Sequence, residues 1–185
     1  MRPTPEFNTK KAAQVSALFA QNQGGTIDVL KLVKLLYLAD REFIKRYDEP
    51  ILFDHPHSMN HGPVNSISYD LINGVEDDKH WNEYLDDRAG HKIGVRCAVD
   101  PMNLDQLSRA ELKVLDDIWA QFGHMTKWEI RDYTHKECPE WEDPDGSSYS
   151  IPYRRIFAAL GKADPNGLEN RLEERKRVSR IMANL

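Results

Sequence analysis

A chain of 185 residues, 40% hydrophobic and 30% charged, has the size and balance of one globular domain, or one domain with an appendage, and excludes wholesale disorder. Its net charge of −5 argues against a protein whose main business is coating nucleic acid and directs the search for a partner toward protein. The longest apolar run, around Leu35, is broken by lysines and falls far short of a bilayer span, and no charged-then-apolar amino terminus suggests export, so a cytoplasmic protein without a membrane partner is expected.

Residues 1–8, with two prolines before Glu6, read as a flexible arm. Ala12, Val15, Ala17, Leu18 and Phe19 then recur at helical spacing up to Gly24-Gly25. Ile27 to Tyr47 is the strongest helix. Leu32, Leu35, Leu36, Ala39 and Phe43 share one face, while Leu30, Val33, Tyr37 and Ile44 carry apolar surface most of the way round. Such a helix must be wrapped on several sides, so it is predicted to be the central element, paired with the first helix. Thr26 and Asp28 are available as caps, and Pro50 stops it. Lys31, Lys34, Arg41 and Lys45 line up as one polar strip, which is either a solvent edge or a site.

After Ile51 to Phe53, the run Asp54 to Pro63 is too rich in Pro, Gly and Asn for a regular element and is expected to be a structured loop. Val64 to Asn73 resumes helical spacing, with Gly74 placed for a left-handed cap. Asp77 to Arg88 holds Trp81, Tyr84 and Leu85 among charges and reads as a short surface helix. His91 to Val99 alternates Ile93, Val95, Cys97 and Val99, the period of a half-buried strand. Its expected partner is Ile51 to Phe53 or the loop beyond, giving a small β-ribbon.

Ser108 and Glu111 form a capping box that opens a helix to Phe122; Gly123 closes it, and Thr126 and Glu129 open the next with a second box. Glu137 to Ser150 reads as a long ordered loop pinned by Trp141, and Pro152 seeds a helix through Leu160. Asp164-Pro165 caps a last helix whose thin stripe of Leu168, Leu172, Val178 and Met182 runs among charges that include Arg175 and Arg177. It serves either as an exposed, salt-bridged helix or as a partner surface. The sum is a mainly α fold: a single compact helical domain over 9–161 around a buried central helix, with a small β-ribbon, plus a C-terminal amphipathic helix over 162–185.

Candidate chemistry is sparse. His55, His57 and His61 beside Asp54 invite a metal, but no His-Glu-x-x-His or Cys-x-x-Cys spacing accompanies them, and Pro56 and Pro63 suggest a loop held by backbone geometry; no metal and no cofactor are expected. His124, His135 and Cys138 group loosely, but His135 and Cys138 at a helix end more often cap and pack than form a nucleophile pair, and Cys97 and Cys138 read as reduced thiols. No catalytic residue is assigned. The two helices from Arg109 to Glu137 have the outline of a helix-turn-helix, so a DNA-binding repressor is the alternative reading. Glu129, Asp132 and Glu137 would meet phosphates with the wrong sign, with Lys127, Arg131 and Lys136 left to compensate.

Three segments in fixed order carry a resemblance: Lys31 to Asp40, then Met59-Asn-His-Gly-Pro-Val64 leading to Tyr69-Asp70, then Phe122 onward through Trp128-Glu-Ile130 and Thr134-His135 to Pro139-Glu-Trp141. Together they resemble the Panacea domain of SocA-like antitoxins over most of Thr9 to Gly161. The resemblance implies a helical antitoxin encoded beside its toxin and neutralising it by direct contact; in one described member it acts as an adaptor that hands the toxin to a protease. The motif residues Lys34, Leu35, Tyr37, Asp40, Gly62, Pro63, Val64, Tyr69, His135 and Trp141 are then expected to gather at one locale, holding one another. Tyr37, Arg41, His61, Trp128, Trp141, Arg175 and Arg177 are the candidate partner contacts, since tyrosine, tryptophan and arginine are the usual anchors of interfaces.

Overall fold

The computed structural model of the chain describes residues 6–183, and it is mainly helical. Helix α1 (Thr9–Asn22) is capped by the Asn8 side chain, which accepts from the Lys11 amide, and Phe7 packs against the core beside it. Strand β1 (Thr26–Asp28) leads into α2 (Val29–Tyr47), where Asp28 serves as N-cap. As the apolar coat requires, α2 is enclosed: Leu32, Leu35, Leu36, Tyr37 and Ala39 are at most 1% exposed.

The run after Pro50 differs from expectation. Asp54 to Pro63 is not an irregular loop. Strands β2 (Pro56–Met59) and β3 (Gly62–Asn65) form a hairpin across the two residues Asn60-His61, with Gly62 in the left-handed region at φ +96°. The prolines disguise it, because neither can donate to a ladder; Pro56 opens its strand and Pro63 lies on the edge strand. The expected helix from Val64 therefore starts late, as α3 (Ser66–Ile72). Asn65 gives it no side-chain cap. Buried Asp54 does so instead, accepting from the Ile67 and Ser68 amides at 2.9 Å.

The charged segment 77–88 is helical only over α4 (Lys79–Asn82), with Trp81 buried. Strand β4 (Lys92–Gly94) is three residues long and pairs with β1, Ile27 opposite Ile93, rather than with 51–53. Its end is set by its antiparallel partner, since Gly94 lies opposite Thr26, where β1 begins, and before Thr26 stands the left-handed Gly24-Gly25 turn. Beyond the ladder the Arg96 amide bonds the Tyr84 carbonyl and Cys97 is exposed. Ile51 and Leu52 have no need of a strand, because both amides end on the Asp40 carboxylate.

Helices α5 (Arg109–Phe122) and α6 (Lys127–Glu137) form the expected hairpin with both capping boxes in place, and both pack on α2. Val114, Leu115, Ile118 and Phe122 are the buried face of α5, with Leu112 and Trp119 half-buried at its margin. Strand β5 (Tyr149–Ser150), at the end of the Trp141 loop, joins β2 to complete a three-stranded sheet of order β3-β2-β5. Helices α7 (Tyr153–Ala159) and α8 (Pro165–Ala183) close a smaller cluster, in which Leu168 and Leu172 meet Ile44, Ile156 and Phe157. Further along α8 the stripe leaves the protein: Val178 and Ile181 are more than half exposed, and the Met182 side chain lies outside the described residues.

Candidate functional site

The polar strip of α2 is neither a solvent edge nor a loose patch. Three of its four members are tied to other elements. Lys31 donates to Gln23 and to the Gly123 carbonyl at 2.7 Å, and Lys34, with no exposed surface, donates to the Pro63 carbonyl at 2.8 Å. Arg41 holds Glu140 through Nε at 2.7 Å and through a second nitrogen at 3.2 Å. Only Lys45 extends into solvent.

The same helix gathers the other two segments. Gly62 sits directly over α2 and α6: a Cβ there would lie 2.8 Å from Thr134 Oγ1 and 3.1 Å from both His135 Cδ2 and Lys34 Nζ, so only glycine lets the hairpin turn come this close. Trp141 donates its indole N–H to the Met59 carbonyl at 2.9 Å, and its ring stacks on His135 with centroids 4.1 Å apart. Tyr37 donates to Glu140 at 2.6 Å. Asp40 accepts from Ile51, Leu52 and the Asn65 side chain. Leu35 and Val64 are buried, and Tyr69 packs at the margin of the core.

Burial sets the electrostatics of this region. It lowers the Lys34 ammonium to about 7 and raises the Asp40 carboxyl to about 7, the latter against the pull of its three donors. Burial, and after it the Glu140 charge, holds the Tyr37 phenol protonated far above its usual range. Burial likewise pushes the Cys138 thiol up to about 12, and burial together with the Lys34 charge lowers His135. Cys138 has no exposed surface and packs in the core, while His135 stacks on Trp141. Among the described residues no group of three His, Cys, Asp or Glu side chains is arranged to hold a metal ion.

Beside this locked region opens a cleft of about 560 Å³. Leu30, Val33 and Lys34 of α2 line one side, His61 of the hairpin turn and Tyr69 of α3 another, and Lys127 and Trp128 of α6 a third; Arg88 and His91 reach it from the segment before β4. Trp128 is half exposed, with the Lys127 and Arg131 cations 5.3 and 4.9 Å from its ring. Of the partner residues expected from sequence, the cleft unites His61 and Trp128. Tyr37, Arg41 and Trp141 are engaged inside the fold. Arg175 pairs with Glu49 and Arg177 is exposed, both on α8. Glu140, which binds both Tyr37 and Arg41, stood in the Pro139-Glu-Trp141 motif without a role assigned to it, and Arg88 escaped the reading by sequence. The further sign of the role of Glu140 was Arg41 on a helix wrapped on several sides, where a cation needs an acid from elsewhere.

A family model described as “Antitoxin SocA-like, Panacea domain” matches residues 32–142, more than half of the chain, from the central helix through Trp141. No curated protein and no solved structure matches the chain.

Proposed function

This chain belongs to the family of SocA-like antitoxins with a Panacea domain, and we propose that it neutralises a cognate protein toxin by stoichiometric binding, with the cleft and its rim as the docking face. The observation that carries the proposal is the convergence of the three family segments. Their polar groups are satisfied by one another, Lys34 by Pro63, Trp141 by Met59, and Tyr37 and Arg41 by Glu140, while His61 and Trp128 remain at the surface of the assembled locale. A rigid aromatic flanked by cations is the kind of side chain that dominates protein interfaces. No helix among the described residues is long and apolar enough to cross a membrane.

Co-expression with the product of the adjacent reading frame tests it. Relief of growth arrest and a co-purifying complex are the expected results; relief without a complex would sink direct binding. The level of toxin in the rescued cell separates occlusion from hand-over to a protease, since an adaptor lowers it and an occluding antitoxin does not. The repressor reading fares less well on electrostatic grounds. Lys127, Arg131 and Lys136 each pair with a carboxylate, Asp28, Asp132 and Glu137, so a gel shift with the chain's own promoter is expected to vanish at physiological salt.

A further inference from the structure

We infer that the cleft between α2, the β2–β3 turn and the start of α6 receives a carboxylate-bearing segment of the partner protein. This rests on the antitoxin reading and names the chemistry of what that reading leaves open. Three observations carry it. The first is sign: Arg88 and Lys127, with His61 and His91, line the cleft, against Asp28 as the one carboxylate among its described lining residues, on a chain whose net charge is −5. Asp28 and Lys127 pair with each other at 2.8 Å, and Asp28 also accepts from the Leu30 amide as N-cap of α2, so the cleft cation left without a carboxylate is Arg88.

The second is partnering. Arg88 donates to the Gly90 carbonyl and to the Asn73 side-chain oxygen, and Lys34 to the Pro63 carbonyl. These acceptors are neutral. The Arg88 guanidinium, at the surface, thus lacks the anion it pairs with best, whereas Lys34 has no exposed surface and owes its lowered proton affinity to burial. The third is size. A cleft of this volume holds a few side chains, the scale of a small-ligand site, and its apolar walls of Leu30, Val33, Tyr69 and Trp128 suit a loop or chain end with an acidic residue beside an apolar one. A whole helix or a DNA backbone would need an open cationic track, whereas α6 beside the cleft carries Glu129 and Asp132.

The test is titration calorimetry of the purified product of the adjacent reading frame against three full-length proteins: wild type, Arg88→Glu, and Lys113→Glu as a charge reversal outside the cleft. Arg88 and Lys113 are both at the surface, so neither change should lower the melting temperature, which is measured alongside. Arg88→Glu is expected to weaken binding roughly tenfold or more, Lys113→Glu by less than about twofold. Scanning Asp and Glu of the partner to Lys should then return one position whose reversal restores binding to Arg88→Glu. Equal binding by wild type and Arg88→Glu, or the absence of any compensating position, overturns the cleft while leaving the antitoxin reading intact. A wild type that fails to bind removes that reading and this inference with it. Binding of a short labelled DNA duplex by wild type but not by Arg88→Glu would reassign the cleft to nucleic acid.

Discussion

Tyr37 donates its hydroxyl to Glu140 at 2.6 Å, and one turn further along the same helix Arg41 holds the same carboxylate. The acid arrives from 103 residues away in sequence and is 1% exposed, so it closes the fold around α2 from the far side of the α5–α6 hairpin. Removing one partner of a buried charged cluster leaves the others without an acceptor, which is worse than never having buried them. Glu140→Ala is therefore expected to lose about 3–5 kcal/mol in urea unfolding, and Tyr37→Phe only about 1 kcal/mol. A Glu140→Ala loss no larger than that of Tyr37→Phe would mean that the cluster is held by packing alone.

Gly62 and Gly74 separate two effects that a glycine can have. Both are left-handed, at φ +96° and +70°, but a Cβ at Gly74 meets nothing within 4 Å, whereas at Gly62 it would strike Thr134 Oγ1 at 2.8 Å. Gly74→Ala should show only the conformational penalty, about 1 kcal/mol. Gly62→Ala adds displacement of the hairpin turn from α6 and should lose at least about 1 kcal/mol more, with weakened toxin binding because His61 moves with the turn. Equal losses for the two variants would show that the close approach is easily relaxed.

What was legible in the sequence is what is decided locally. The capping boxes at Ser108 and Thr126 and the apolar coat of α2 each carry their own signal within a few residues, and those helices lie where expected. The β2–β3 hairpin was hidden because its two prolines argue against strands locally, while its pairing is stabilised by what it rests on, namely Lys34 and α6. The length of β4 was illegible for a similar reason, since it depends on where β1 begins after the distant Gly24-Gly25 turn rather than on the alternation of Ile93, Val95 and Cys97. At the candidate site, His61 and Trp128 stood within motifs, whereas Arg88 is an exposed charge like many others until the fold brings it to the cleft.

Lys34 and Asp40, both on α2, predict an unusual dependence of stability on pH. The Asp40 carboxyl goes from 3.8 to about 7 on folding, so between these values the folded state holds the extra proton and stability falls as pH rises. Lys34 goes from 10.5 to about 7, so above 7 the unfolded chain holds the extra proton and stability rises with pH. Each contributes a slope of at most about 1.4 kcal/mol per pH unit. Subtracting the stability of Asp40→Asn from that of wild type should isolate a limb that falls from pH 4 to 7, and subtracting that of Lys34→Met a limb that rises from pH 7 to 9. A Lys34→Met difference that is flat from pH 7 to 9 would show that the buried ammonium keeps its proton.

Helix α8 divides into a half docked through buried leucines and an end whose apolar side chains are exposed and which Arg180 ties to Glu6 at 2.6 Å, and the division distinguishes two roles for the tail. Leu168 and Leu172 are buried against Ile44 and Phe157, and the Lys176 ammonium lies 5.5 Å from the Tyr153 ring. Val178 and Ile181, in contrast, are 53% and 55% exposed. Deleting 164–185 takes two buried leucines out of the second cluster and should lose roughly 3–6 kcal/mol, so a lost interaction in that variant says nothing about docking. Deleting 178–185 leaves the buried leucines in place and removes the exposed Arg180–Glu6 pair, so it should lower stability by less than about 1 kcal/mol. If the cleft is the docking face, this shorter chain binds toxin as the full chain does. If it folds with no larger loss than that yet no longer binds, Val178 and Ile181 are the contact surface, and the role proposed for Trp128 and His61 is wrong.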